Sequence, residues 1–197
     1  MILWSSNFLM EDNTIERLST ELKSNPSSFS ENANHFSSYY LECHQRPENV
    51  LHELYREITN HVLKNLTLSN RVEHWGETYW MQVYPPGSKG HGIHDHFTGN
   101  EAYSWVHFLR PIKKSFYFLI DGNKVYPKQQ NPGDYIVFPS WALHGVDTNE
   151  SSQERVVIAG NLILNTLIVN YSSEKQKITR CHKINRNVLV WETIDDD

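Results

Sequence analysis

Three histidines have the spacing that a shared metal ion requires. His94 and His96 are separated by one residue, and in an extended strand residues i and i+2 point to the same face. His144 follows fifty residues after His94, behind a strand pattern and a proline-containing corner. Imidazole nitrogens suit iron, zinc, copper and nickel. The pattern therefore predicts a metal centre built from His94, His96 and His144.

The residue between the paired histidines leaves a second ligand set open. In a regular strand the Asp95 carboxylate points away from the face that His94 and His96 share. If the strand bends, Asp95 replaces His96 as the ligand. Otherwise its carboxylate can orient a ligating histidine by accepting a hydrogen bond from the ring nitrogen that does not bind the metal. We expect His91, in a glycine-containing turn, at the rim of the site or without a role there. Ordinary surface or core positions are expected for His35, His44, His52, His61, His74 and His107.

Arg155 stands eleven residues after His144, at the start of an apolar run. An unpaired guanidinium is costly to bury in such a place. A carboxylate ligand removes that cost, because it accepts paired, charge-assisted hydrogen bonds from the planar guanidinium. The alternative is a surface arginine that pairs with Glu150 or Glu154. The interval from His144 favours the first interpretation, a binding site for an acidic co-substrate beside the metal.

The chain opens with two helical patterns. Residues 12 to 23 and residues 47 to 68 place apolar side chains at helical spacing. Pro47 stands in the first turn of the second pattern and Asn70 lies just past its end, as helix starts and stops prefer. We therefore expect two helices before residue 70.

From about residue 71, short runs of β-branched and aromatic residues alternate with turn residues. These runs predict strands over residues 78–84, 103–109, 115–120, 124–127, 134–138, 145–148, 155–164 and 166–171. Asp121 and Gly122 predict a hairpin turn between two of them. Strands at this spacing favour an antiparallel sandwich or jelly roll over a parallel α/β fold. We expect a mainly β fold whose larger sheet is buttressed by the N-terminal helices.

No internal repeat or linker divides the sequence, so we expect one domain over residues 1–197. Residues 1–70 would form a helical support region and residues 71–171 the β core. Residues 172–197 would form a C-terminal extension, in which residues 188–191 have the pattern of an edge strand.

Composition excludes several classes of protein. The formal net charge of −5 and the lack of a Lys/Arg cluster argue against nucleic-acid binding, and any electrostatically steered partner would be neutral or basic. Cys43 and Cys181 do not make a disulfide framework, which suits reduced thiols in the cytoplasm. The apolar start is too brief for a signal peptide, and no apolar run is long enough to span a membrane. The oligomeric state stays open.

These residues resemble the 2-oxoglutarate/Fe(II)-dependent dioxygenases over about residues 76 to 165. That family carries a His-x-Asp pair on one strand, a distal His, and a basic residue shortly beyond it. The segment from Met81 to Pro86 is similar to the prolyl-hydroxylase branch, whose tyrosine at the place of Tyr84 contacts the co-substrate. The block from Gly133 to His144 is similar to 2-oxoglutarate oxygenases of marine bacteria and phages, which also carry His-x-His.

The resemblance implies a double-stranded β-helix core and an activity. Fe(II) would be held by His94, His96 and His144, and 2-oxoglutarate by Arg155 and Tyr84. With O2 as the second co-substrate, 2-oxoglutarate would be oxidatively decarboxylated to succinate while a peptidyl or small-molecule substrate is hydroxylated. Halogenation is disfavoured by the same likeness, since halogenases leave vacant the ligand position that His96 fills.

The sequence departs from the family pattern in three places. His96 stands where the commonest centre has a carboxylate, and three neutral imidazoles leave one more positive charge at the metal. Val157 replaces the serine or threonine often found two residues after the arginine. Phe108 stands where related enzymes often have a tyrosine hydroxyl.

The substrate is not indicated. Side chains near the motifs are Trp75, Tyr79, Trp80, Trp105, Trp141 and Asn161, although aromatic residues on strands are more often core. Two other functions remain open. A cupin-type metalloenzyme would use the same three imidazoles without 2-oxoglutarate, and a jelly-roll binding module would have no enzymatic activity. Replacing Arg155 distinguishes the first two, because only the 2-oxoglutarate enzyme needs it.

Overall fold

The computed structural model of the protein describes residues 1–66, 74–97, 101–112, 114–165, 181–184 and 187–193. Its α-helices are α1 (Asp12–Ser24) and α2 (His52–Asn65). The strands are β1 (Trp4–Asn7), β2 (Phe29–Ser30), β3 (His35–Ser37), β4 (His74–Tyr84), β5 (His91–His94), β6 (Glu101–Arg110), β7 (Phe116–Ile120), β8 (Asn123–Val125), β9 (Asp134–Pro139), β10 (His144–Val146), β11 (Arg155–Asn165), β12 (Cys181–Ile184) and β13 (Asn187–Thr193).

The strands form two antiparallel sheets. In the larger sheet the order is β1-β9-β6-β11-β4-β13-β12, with β3 also paired to β4 and β2 to β3. In the smaller sheet the order is β5-β10-β7-β8. Aromatic side chains of both sheets, including Trp80, Phe116 and Phe138, pack into one buried cluster between them. The prediction of a mainly β, jelly-roll fold with N-terminal helices is confirmed.

Alternation along β4 and β11 separates two environments on the larger sheet. Met81 and Ile158 lie on one face, in the cluster that also buries Leu18 of α1 and Tyr55 of α2. On the opposite face, every second residue from Thr78 to Tyr84 and from Arg155 to Ile163 lines a cavity between the sheets. Because successive strand residues point to opposite faces, the same two strands hold the helices and build the cavity.

The second helix is shorter than the sequence predicts. Pro47–Leu51 forms a 3₁₀ turn, and the α-helix begins only at His52. In that turn the fully buried Glu48 carboxylate accepts hydrogen bonds from the Ser38 hydroxyl and, at 3.3 Å, from the backbone N–H of Met81. These bonds hold the turn tightly against β4. Residues 67 and 68 lie outside the described residues.

Some strands of the larger sheet were not predicted, or were predicted in another position in the sheet. β1 and β3 are too short to give a periodic signal. Residues 188–191 were expected at an edge, but β13 pairs with β4 on one side and with β12 on the other. Among the described strands it is therefore internal. The predicted strand over residues 166–171 lies outside the described residues.

The predicted hairpin joins β7 to β8. Asp121 and Gly122 have φ values of 49° and 75°, the pair of positive angles that a tight two-residue hairpin turn requires. Neither helix in the described part of the chain has the length and apolar character needed to cross a membrane.

Candidate active site

The structure brings His94, His96 and His144 together. His94 and His144 are register partners on β5 and β10, and their ring centroids are 4.3 Å apart. His96 follows the end of β5, where its backbone N–H bonds the carbonyl oxygen of Ser140 at 2.8 Å. Its ring centroid lies 5.1 Å from that of His94 and 5.0 Å from that of His144. One nitrogen from each ring lies within 4.8 Å of the others, a spacing suited to a shared ion.

Hydrogen bonds at Nδ1 orient all three rings. Nδ1 of His94 lies 2.8 Å from the carbonyl oxygen of Gly92, and Nδ1 of His144 lies 2.8 Å from that of Ala142. Nδ1 of His96 lies 2.6 Å from Oδ1 of Asn161. Carbonyl oxygens only accept hydrogen bonds, so each Nδ1 carries the hydrogen and each Nε2 keeps its lone pair. Such partners fix the tautomer of metal-binding histidines.

Burial favours the neutral, ligating form of these rings. Desolvation lowers the pKa of His94 and of His96, and it lowers the pKa of His144 to about 3. Neutral imidazole is the form that binds a metal, because a protonated ring offers no lone pair. The three side chains are therefore ready to bind a cation at neutral pH.

Two further residues of the histidine motif, Asp95 and His91, lie beside the three-histidine group. The exposed Asp95 carboxylate accepts a hydrogen bond from the backbone N–H of Phe97 at 3.1 Å and faces the cavity, outside the three-histidine group. His91 also lines the cavity, and its ring centroid is 4.5 Å from that of His94. His91 thus lies beside the site, as a rim position predicts.

Arg155 is buried at the other end of the cavity. It is the register partner of Tyr84, and its Cζ lies 4.9 Å from the centroid of the Tyr84 ring. The residue is 2% exposed, and no described residue accepts a hydrogen bond from its Nε or Nη1. Glu154, offered by the sequence as an alternative partner, instead binds Lys23 at 2.8 Å. Arg155 therefore presents unpaired donors inside the protein.

Tyr84 is fixed beneath that guanidinium. Its hydroxyl donates to Oε1 of Gln82 at 2.9 Å, and burial raises its pKa to about 12. Its ring also stacks on His35, with centroids 5.0 Å apart. His35, expected to be an ordinary residue, is buried behind Tyr84 and does not line the cavity. Tyr84 thus stays a neutral hydrogen-bonding group at the arginine end.

A cavity of about 630 Å³ connects the three histidines to Arg155. Pockets of this size are typical of small-molecule sites. Its lining from the larger sheet comprises Ser37 of β3, Thr78, Trp80, Gln82 and Tyr84 of β4, Glu101, Trp105 and Val106 of β6, Phe138 of β9, and Arg155, Val157, Ala159, Asn161 and Ile163 of β11. A dicarboxylate that spans the cavity would reach both the histidines and the guanidinium.

Comparisons with known proteins bear on the fold. No protein-family model and no curated protein matches the sequence. Solved structures do match. A prolyl-4-hydroxylase of Pseudomonas putida shares 14% identity and a TM-score of 0.55, over 81% of this chain and 91% of that one. A 2OG-Fe(II) oxygenase family member of Burkholderia pseudomallei shares 15% identity and a TM-score of 0.54, over 78% and 79%. The protein has the 2-oxoglutarate/Fe(II) oxygenase fold.

A third match shows how widely this oxygenase fold is used. The alpha-ketoglutarate-dependent carbocyclase SnoK from nogalamycin biosynthesis shares 12% identity and a TM-score of 0.57, over 94% of this chain and 90% of that chain. The matched proteins are named for different reactions. At such low identity the likeness establishes the fold, and the activity must be argued from the site.

The side chains fit the groups that this oxygenase fold implies. Three Nε2 lone pairs form an all-nitrogen donor set that suits Fe(II), although it suits zinc and copper as well. The orphaned Nε and Nη1 of Arg155 fit a carboxylate better than any described neighbour does. Val157 lines the cavity beside Arg155 and offers no hydroxyl. An acidic ligand in this cavity would therefore depend more on Arg155 and Tyr84 for its hydrogen bonds.

The suggested substrate-side residues divide into two groups. Trp80 and Asn161 line the cavity, whereas Trp75 and Tyr79 are buried in the core and Trp141 is 57% exposed. Trp105 is fully buried and also borders the cavity. Cavity residues that no sequence motif indicates include Tyr39 and Tyr40. They lie in a short 3₁₀ turn after a Ser/Asn-rich loop, where no periodic pattern draws attention to them.

Proposed function

We propose that the protein is a non-haem Fe(II)- and 2-oxoglutarate-dependent dioxygenase. It would consume 2-oxoglutarate and O2, release succinate and carbon dioxide, and hydroxylate a peptidyl or small-molecule substrate. One observation supports this most: three imidazoles with free Nε2 atoms share a cavity with a buried arginine whose donors have no described partner. A metal centre and an anion site in one cavity are what this chemistry requires.

Each side chain has a role in this proposal. His94, His96 and His144 hold Fe(II) through Nε2, while the acceptors at Nδ1 keep their rings in place. Arg155 would bind the distal carboxylate of 2-oxoglutarate, and the Tyr84 hydroxyl, which donates to Gln82 without the ligand, would turn to donate to that carboxylate. Iron bound here would supply the activation of dioxygen that no side chain can provide.

The aromatic walls contribute by excluding water. Phe116 and Phe138 are buried, line the cavity and pack near the His144 ring, with centroids 5.5 and 5.1 Å away. In such a dry environment the electrostatic attraction between Arg155 and a carboxylate is stronger than in water. The same walls would shield a reactive centre from unproductive contact with solvent.

The first test is spectroscopic. Anaerobic addition of Fe(II) and then 2-oxoglutarate should produce a visible metal-to-ligand charge-transfer band. His144→Ala should abolish metal binding and the band, while His52→Ala, a change on α2, should retain both. If metal binds normally and no band forms, the assignment is wrong and a cupin-type metalloenzyme becomes the better explanation.

The second test measures turnover. Succinate should be released from 2-oxoglutarate and O2 in the wild-type protein, slowly without substrate and faster with the correct one. Arg155→Gln should abolish this release, whereas Arg110→Gln, at a partly exposed arginine that pairs with Glu16, should not. Turnover that survives loss of Arg155 contradicts the proposal. Absence of any bound metal would instead favour the non-enzymatic jelly-roll module.

A further inference from the structure

Four side chains form a square on the cavity face of β4 and β11. Arg155 is the register partner of Tyr84, and Val157 is the register partner of Gln82. All four side chains line the cavity. Paired residues of an antiparallel ladder have Cβ atoms about 5 Å apart, and diagonal neighbours such as Arg155 and Gln82 are about 7–8 Å apart, within reach of long side chains. A carboxylate held by Arg155 therefore lies close to Gln82.

A carboxylate in this position needs more hydrogen bonds than the guanidinium can give. Its two oxygens together offer about four acceptor sites, and a planar guanidinium donates to two of them in a bidentate pair. A charged group that leaves water without enough partners is costly to bury. Val157, the next cavity-facing residue of β11, has no polar atom. Further donors must then come from a neighbouring strand, and β4 is paired with β11 along its whole length.

Gln82 has a side-chain amide whose orientation is fixed by Tyr84. The Tyr84 hydroxyl donates to Oε1 of Gln82 at 2.9 Å. Burial raises the pKa of Tyr84, and the neighbouring Arg155 opposes that rise, so the guanidinium lies next to the hydroxyl. A guanidinium cannot accept a hydrogen bond, which leaves Gln82 to accept the phenol hydrogen. Nε2 of Gln82 then points away from the hydroxyl, and no described residue accepts a hydrogen bond from it.

We propose that Gln82 is a further recognition residue for the co-substrate, donating from Nε2 to the carboxylate that Arg155 binds. This inference rests on the proposed function, because it concerns the co-substrate of that reaction. When the Tyr84 hydroxyl turns to the ligand, Oε1 of Gln82 loses its hydrogen bond, and the amide is free to approach the same carboxylate. Gln82 thus supplies, from across the ladder, the hydrogen bond that Val157 cannot make.

Calorimetry on the zinc-loaded protein tests this role without turnover. Zinc suits the same three imidazoles and has no redox chemistry, so binding is measured alone. Gln82→Leu removes the amide at nearly constant size and should weaken 2-oxoglutarate binding roughly 10- to 100-fold, the loss expected for one hydrogen bond to a charged group. Gln153→Leu, at an exposed glutamine outside the cavity, should leave the affinity unchanged. Equal affinities in wild type and Gln82→Leu, or no binding of 2-oxoglutarate to either, would overturn the proposal.

Two further measurements separate direct contact from an effect through Tyr84. The acid 2-oxopentanoate has the carbon chain of 2-oxoglutarate with a methyl group in place of the distal carboxylate, so its affinity should not respond to Gln82→Leu. In the Gln82→Leu background, Val157→Thr places a hydroxyl directly across the ladder and should recover most of the lost affinity for 2-oxoglutarate. An equal loss for both acids, or no recovery with threonine, would mean that Gln82 only supports its neighbours, which also overturns the proposal.

The charge-transfer band keeps the two hypotheses separate. A band with Fe(II) and 2-oxoglutarate, together with an affinity that Gln82→Leu leaves unchanged, supports the dioxygenase and contradicts the role of Gln82. Binding of 2-oxoglutarate to the zinc-loaded protein that depends on Gln82, without a band when iron is bound, supports the role of Gln82 and contradicts the dioxygenase. Circular dichroism confirms that each variant is folded.

Discussion

Asn161 accepts a hydrogen bond from Nδ1 of His96 at 2.6 Å, and this contact joins β11 to the candidate metal centre. Ser104 also donates to the same Asn161 oxygen, at 2.9 Å, and lies 3.1 Å from Nδ1 of His96. A ligand that follows the end of β5 is thus oriented by two strands of the larger sheet. His96 lies outside a strand, and residues of two long strands, β6 and β11, orient its ring.

Removing this contact should weaken metal binding. Asn161→Ala deprives the His96 ring of its acceptor, and partners of this kind are worth about 10- to 100-fold in metal affinity. Because Ser104 can accept the same hydrogen, the double variant with Ser104→Ala should lose more than the single one. Competition titration with a chelator measures the loss. Asn123→Ala, at an exposed turn amide, is the control, and an unchanged affinity in the double variant would contradict the assigned role.

Arg155→Met should stabilise the metal-free protein. Burial lowers the pKa of Arg155, and its Nε and Nη1 lack described partners, so the charged group is held at an energetic cost. An apolar side chain of similar length removes that cost, and we expect the free energy of unfolding to rise by about 1–3 kcal/mol. Denaturant titration measures the change. A loss of stability would show that Arg155 has a structural role.

The same variant should lose its response to the co-substrate. Millimolar 2-oxoglutarate should raise the melting temperature of the wild-type metal-bound protein, because a ligand that binds only the folded state stabilises it. In Arg155→Met that increase should disappear. Retention of the full increase would place the dicarboxylate elsewhere.

Stability should fall as the pH drops below about 6.5. Tyr55 donates to Nδ1 of the fully buried His107, whose Nε2–H donates to the Phe8 carbonyl, and burial lowers the pKa of His107 to about 4. The unfolded chain therefore binds a proton between pH 6.5 and 4 that the folded chain excludes. By linkage, this one group costs about 2 kcal/mol between pH 7 and pH 5. His35, with a pKa also lowered to about 4 by burial, adds to the effect.

Two variants isolate that contribution. In His107→Gln the difference in unfolding free energy between pH 7 and pH 5 should shrink by about 2 kcal/mol, because the titrating ring is absent. His44→Gln, at an exposed histidine, should leave the difference as it is in the wild type. The same pH dependence in all three proteins would show that His107 is not responsible.

Gly160 should not tolerate a side chain. A Cβ atom at this position would lie 2.5 Å from Cε2 of the buried Trp105 and 2.6 Å from the carbonyl oxygen of Thr78. Overpacking of this kind costs about 1–3 kcal/mol. Gly92 meets nothing within 4 Å and is the matched position. We expect Gly160→Ala to lower the melting temperature by several degrees and Gly92→Ala to leave it unchanged; equal effects would contradict the packing argument.

The regular parts of the molecule could be predicted from the sequence. Alternation along residues 78–84 and 155–164 predicts strands, and β4 and β11 contain these segments. The His-x-His spacing predicts that His94 and His96 converge, although the physical reason differs from the one expected. β5 ends at His94, so a backbone hydrogen bond to the Ser140 carbonyl beyond the strand, and not strand periodicity, positions His96.

Other parts of the site carry no local signal. Tyr39 and Tyr40 approach the cavity only because Ser38 and the buried Arg46 anchor their turn to β4, through Met81 N–H and the Tyr79 carbonyl. Such tertiary contacts join residues that are distant in sequence and leave no periodicity. For the same reason, the burial of His35 behind Tyr84 could not be anticipated.

The geometry of β11 sets a limit on what the cavity can accept. Arg155 and Asn161 both line the cavity and are six residues apart on one strand, so their Cα atoms are separated by roughly 20 Å at 3.4 Å per residue. β11 is bonded on both sides, to β4 and β6, so neither end can slide without breaking two ladders. The strand therefore fixes how far Arg155 stands from the residue that orients His96. A ligand has to match that separation with its own shape, because the backbone cannot shorten or lengthen it.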